Sequence, residues 1–193
     1  SPDQLSYLWL QLDQNLFAKD SDTKLIHVEK MAKSIIQEYP NHPYAWKILA
    51  GVLEQLDRLE EAILNYQKVA SLTTNDVTVY QKLGNLLIRL GRPKEAIENF
   101  KKIISIKPDN FAAYNDIGVS FQALGKLDES LEFFKKATEI NPEYVESLNN
   151  LGNIFKELGR FDQAIEHYKK AIDLKPDYAK SLNNFGRLLM LKS

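Results

Sequence analysis

The sequence predicts an all-α protein built as a stack of helix pairs. Three observations carry this reading. The 193-residue chain repeats itself with a period of 34. It holds only 8 glycines and 7 prolines among many Leu, Ile, Ala, Lys and Glu, which favour helix. Its apolar residues recur at three- and four-residue spacing, so they line single helix faces.

The period is visible as aligned columns. Pro108, Pro142 and Pro176 superpose, as do Gly84, Gly118, Gly152 and Gly186. Gly91, Gly125 and Gly159 form a second glycine column. Ala62, Ala96, Ser130 and Ala164 form a small-residue column, and Tyr66, Phe100, Phe134 and Tyr168 an aromatic one. A single helix pair cannot bury both of its faces, so such units must stack to make a core.

The elements follow in chain order. Residues 1–42 read as a degenerate N-terminal capping helix pair. Its first helix is expected over Gln4–Phe17, with Leu5, Leu8, Trp9, Leu12 and Leu16 on one face. Its second is expected over Lys24–Tyr39, with a turn at Ala18–Asp22. Four full repeats follow, at 43–76, 77–110, 111–144 and 145–178. In the last, Leu148, Leu151, Gly152 and Phe155 share a face of the first helix. Gly159 supplies a left-handed stop. Phe161, Ala164, Ile165, Tyr168, Ala171 and Ile172 form the stripe of the second helix, and Pro176 ends the unit. Gly152 and Ala164 leave room for close approach, with Tyr168 expected to fill the gap between neighbouring units. Residues 179–193 read as the first helix of a fifth, truncated repeat.

The first repeat departs most. Ala50 replaces the packing glycine, Asp57 the turn glycine, and Thr74 the proline. Aspartate visits the left-handed region more readily than most residues, so the repeat is expected to survive while its helix boundary is in question.

The columns Trp46-Leu49-Ala50-Leu53, Tyr80-Leu83-Gly84-Leu87, Tyr114-Ile117-Gly118-Phe121 and Leu148-Leu151-Gly152-Phe155 resemble the first helices of the tetratricopeptide repeat family. The resemblance covers Pro43–Tyr178. It implies a right-handed superhelical α-solenoid whose first helices line a concave, partner-binding surface. The wording SLNNLGNIFKELGRFDQAIEHYKKAIDLKPDYAKSLNN is also similar to repeats that precede O-linked N-acetylglucosamine transferases and bacterial glycosyltransferases or sulfotransferases. Asn150 and Asn184 occupy that subtype's asparagine-ladder position, whereas Asp116, Lys82 and Ile48 do not. The chaperone-tail clamp of another subtype is not matched, because Asn149 stands at its lysine and Asp116 at an asparagine.

The chemistry expected is recognition rather than catalysis. With 25 Lys+Arg against 26 Asp+Glu, the chain lacks the basic excess that nucleic-acid binding requires. It has no cysteine, hence no thiolate nucleophile or cysteine-based metal site. His27, His42 and His167 are scattered, His167 on a face expected to be exposed, and no nucleotide or hydrolase motif is present. No enzyme activity, cofactor or metal is therefore expected. No apolar run reaches the length of a membrane span, and no basic leader opens the chain, which lacks an initiator Met and reads as an excised piece. A cytoplasmic location is expected.

The resemblance places the partner surface on first-helix positions off the packing stripe: Tyr44, Lys47 and Glu54, then Gln81, Asn85 and Arg89. Further along it implies Asn115 and Gln122, then Asn149, Asn153 and Lys156, then Asn183 and Arg187. Amides both donate and accept, so this surface suits the backbone of an extended peptide. Recruitment of substrates for a linked transferase is the alternative. Phe185, Leu188 and Leu189, without a second helix over them, are the expected self-association surface of a homo-oligomer.

Overall fold

The computed structural model describes residues 22–192, which form ten helices and no strand. They are α1 (Asp22–Glu38), α2 (Pro43–Gln55), α3 (Leu59–Leu72), α4 (Val77–Arg89), α5 (Pro93–Ile106), α6 (Phe111–Ala123), α7 (Leu127–Ile140), α8 (Val145–Glu157), α9 (Phe161–Leu174) and α10 (Ala179–Lys192). The fold class is thus the all-α helical repeat that the period predicts. The expected helix at Gln4–Phe17 and its Trp9 lie outside the described residues.

The repeat is kept in register by its turns. Every first helix from α2 to α8 has 13 residues and every second helix from α3 to α9 has 14. The turn within each pair passes through one left-handed residue, at φ 68°, 70° and 71° for Gly91, Gly125 and Gly159. Asp57 takes the same conformation at φ 57°. The boundary of the first repeat therefore does not move; an aspartate simply bears the strain that glycine avoids. Where Thr74 replaces proline, Asn75 turns the chain at φ 65° instead.

The chain divides into two compact units, with the boundary at Leu86/Leu87 inside α4. In the unit ending at Leu86, α1 packs on α2 and α2 on α3. Val28, Ala32 and Ile35 of α1 are buried, as are Leu49, Val52 and Leu53 of α2 and Tyr66 and Val69 of α3. One carboxylate joins them. Glu29 accepts from the Arg58 guanidinium at 2.9 and 2.8 Å, one bond to each of its oxygens, and from Lys33 at 2.6 Å. Burial opposes its ionisation, but the hydrogen bonds from Lys33 and Arg58 outweigh it and hold its pKa below the usual carboxylate range.

In the unit from Leu87 onward, α5 to α10 pack each on the next, with lighter contacts between α6 and α8 and between α8 and α10. Leu131, Phe134, Leu151, Ile154, Phe155, Ala164, Tyr168 and Leu188 form one buried cluster. The glycine column is where helices meet most closely. A methyl group on Gly118 would lie 2.7 Å from the Phe134 ring, and one on Gly152 would collide with Tyr168. The aromatic column thus rests on the glycine of its own repeat, not only between repeats. Where Ser130 replaces alanine, its buried hydroxyl is satisfied, donating to the Gly118 carbonyl at 2.8 Å.

Candidate functional site

Within the first unit, the charged first-helix residues are tied to one another. Lys47 of α2 donates to Asp76 at 3.2 Å and to Thr78 at 3.1 Å. Asp76 also accepts from the Thr78 backbone N–H and hydroxyl at the start of α4, and these bonds with Lys47 outweigh burial to lower its pKa. Glu54 of α2 accepts from Lys82 of α4 at 3.0 Å and from the Tyr66 hydroxyl at 3.3 Å. Burial first, and Glu54 second, push the Tyr66 hydroxyl well above its ordinary pKa. Gln81 donates to Asn85 one turn on, at 3.1 Å, and Tyr44 is exposed. Trp46, placed by the repeat as a packing residue, is half-buried and donates to the Pro40 carbonyl at 2.8 Å.

Within the second unit, amides replace charges. Asn184 of α10 donates to Asn149 of α8 at 3.1 Å, and Ser181 donates to the same oxygen at 3.2 Å. Asn149 donates to Asn150 at 3.5 Å, Asn150 to Asn115 of α6 at 3.0 Å, and Asn115 to Asp116 at 3.5 Å. The partners across helices sit 35 residues apart, one more than the repeat. Side chains on this face lean towards the next first helix, so each residue meets the position after its own equivalent.

That offset changes the roles of several expected site residues. Asn115 and Asn149 are only 6% and 3% exposed, so they are interior links rather than surface contacts. Asn183, the equivalent of Asn149, is exposed. Asn150 and Asn184, half-buried, carry the outer side of the network; the family resemblance sets them at the asparagine-ladder position but outside the expected partner surface. The sequence signal was the doubled asparagine at 149–150 and 183–184. Asn153 accepts from the Tyr168 hydroxyl at 2.7 Å, and burial, then Glu157, pushes that hydroxyl up to about 12. Gln122 donates to Glu157 at 2.7 Å, while Lys156 is half-buried and Arg89 and Arg187 are exposed.

The expected self-association surface is also redrawn. Leu188 is fully buried in the unit's own core, and Phe185 packs against that core. Leu189 stays 46% exposed, beside Leu182, Met190 and Leu191. Nothing lies within 4 Å of a methyl group placed on Gly186, the equivalent of Gly118 and Gly152. The open stripe is therefore Leu182, Gly186 and Leu189. His167 is half-buried rather than on an exposed face. Its Nδ1 lies 2.8 Å from the Gln163 carbonyl and its ring 5.1 Å from Phe155. Among the described residues, no group of three or more His, Asp or Glu could hold a metal ion, and no helix is long and apolar enough to cross a membrane.

An all-α repeat with glycine seats, aromatic knobs and polar first-helix faces defines a helical-repeat protein. The tetratricopeptide repeat family model matches residues 79–143 and 109–177, together just over half of the chain, and the chain belongs to that family. Among solved structures, it is similar to YrrB, described as a TPR protein with an unusual peptide-binding site. The match is 22% identical and covers 83% of each chain, with a TM-score of 0.72. It is similar to MamA (residues 41 to the end) from Desulfovibrio magneticus RS-1 at 19% identity, 92% and 98% coverage and a TM-score of 0.80. It is also similar to a thermophilic TPR protein, TTC0263, from Thermus thermophilus at 19% identity, 87% and 92% coverage and a TM-score of 0.66. No curated protein matches the sequence.

Proposed function

We propose that the chain is a non-catalytic interaction scaffold whose first-helix faces hold an extended peptide or protein segment. The observation that carries this is the amide network across α6, α8 and α10. Buried Asn115 and Asn149 fix the orientation of half-buried Asn150 and Asn184 by hydrogen bonds, and these two amides offer polar atoms to a backbone. YrrB, a structural relative, is described as having a peptide-binding site, which supports the same use here. The asparagines at 150 and 184 also resemble part of the ladder of transferase-linked arrays. Recruiting substrate for such a domain would use this face in the same way.

The test is affinity capture from lysate with the chain as bait, compared with an Asn184→Ala/Lys156→Ala variant of unchanged circular dichroism. Capture of a defined partner should fall about tenfold. Undiminished capture would sink the groove assignment.

A second reading has its own observation, the uncovered Gly186 stripe on α10. A second copy seated there would make the protein self-associate. Sedimentation equilibrium should then show a concentration-dependent mass that Leu189→Asp abolishes. A monomer at all concentrations overturns it.

A further inference from the structure

The hydrogen-bond chain through the second unit has a direction. A carboxylate only accepts, so Asn115 must offer Asp116 its N–H, and its carbonyl then faces Asn150. The same sense passes through Asn150 and Asn149 to Asn184. All four amides point their positive N–H ends along the path to Asp116 and their carbonyls back towards α10.

The fixed charges on the first helices run against these dipoles and are the larger effect. Asp116 is the sole charged residue of α6. α8 carries Glu146 and Glu157 against Lys156. α10 has no acidic residue, and Lys180 and Arg187 are among its basic ones. Lys180, Asn184 and Arg187 stand at i, i+4 and i+7, so both cations flank the amide that starts the chain, and both are exposed. At the other end, the Tyr144 hydroxyl is pushed up to about 12, by burial first and then by Asp116 and Glu146. The side-chain charges thus set the polarity of this face, and the amides turn their N–H ends to the anion and their carbonyls towards the cations.

We propose that the first-helix face of the Leu87–Ser193 unit selects a charge-polarised protein segment, with acidic side chains over α10 and a basic side chain or amino terminus over α6. This rests on the peptide-holding reading above. The cations on α10 steer and orient the segment, and the amides hold its backbone without regard to sequence. The partner is therefore a peptide with separated opposite charges, neither uniformly acidic nor uniformly basic.

The experiment pans a random linear dodecapeptide library on the immobilised full chain and on a Lys180→Glu/Arg187→Glu variant with an unchanged circular dichroism spectrum. Peptides enriched on the wild type should carry an acidic cluster at one end and Lys or Arg at the other. The variant should deplete the acidic cluster about tenfold. Enriched peptides without that pattern, or with the same pattern on the variant, overturn the polarity while leaving the peptide-holding face intact. No enrichment on the wild type overturns both.

Discussion

The two units tie successive first helices together in different chemistries. In the unit ending at Leu86, α2 is joined by charge to α4 and the residue before it: Lys82 to Glu54, and Lys47 to Asp76. In the unit from Leu87 onward, α6, α8 and α10 are joined by asparagines. The ion pairs are partly exposed, with the lysines 42% and 49% open, so solvent and salt weaken them. The amide links run through buried Asn115 and Asn149, where a lost partner leaves a polar group stranded. One backbone repeat thus accepts either solution. The first keeps its charges committed to each other, and the second presents an ordered polar face.

The sharpest contrast lies in the glycine column. Gly152→Ala places a methyl inside the space of the Tyr168 ring and should destabilise the protein by about 2–3 kcal/mol. In the first unit the same column already holds Ala50, fully buried. Denaturant midpoints should therefore fall for Gly152→Ala, and an unshifted midpoint would show that the ring moves freely aside.

Next comes the amide tie. Asn149→Leu removes the acceptor of both Ser181 and Asn184, and should cost about 2 kcal/mol. Faster amide hydrogen exchange should be confined to α8 and α10 and their neighbours. Uniform exchange through all the helices would mean that the link is not local.

Glu29 is the first unit's counterpart, a buried anion rather than an amide. Glu29→Gln should cost about 1.5 kcal/mol at neutral pH, the scale of a charge-assisted hydrogen bond. Its folded pKa is depressed, so this stabilisation is present above the unfolded value and is lost as pH falls through the folded one. Acid titrations of wild type and variant should converge at the low end. A constant gap down to the lowest pH would contradict the pairing.

The smaller effects test exposure. Gly186→Ala meets nothing and sits inside α10, so it should raise stability by about 0.5–1 kcal/mol, opposite in sign to Gly152→Ala. Lys82→Met should cost about 0.5 kcal/mol, and that loss should vanish in molar salt. A cost that persists in salt would show that Lys82 acts by packing.

Most of the fold was legible because the repeat encodes it locally. Glycine at 91, 125 and 159 marks a turn from its conformational freedom alone. Asp57 shows that the turn outlasts the glycine. The site was legible only in part. Helical spacing places Asn149, Asn153 and Asn115 on first helices, but it says nothing of the neighbouring helix. The 35-residue offset, which buries Asn149 and brings Asn184 onto it, depends on how adjacent helices lie.

The sequence by itself determined the repeat length, the helix count after residue 42 and the columns of small and aromatic residues. Each follows from the conformational preferences of one residue or the periodicity of one helix. Only the tertiary structure decided that Leu188 is core while Leu182 and Leu189 are open, that Tyr168 lies on Gly152, and that the asparagines join across helices in one direction. Those outcomes depend on contacts between elements, where side-chain direction and the neighbour's register, not local propensity, set which atoms meet.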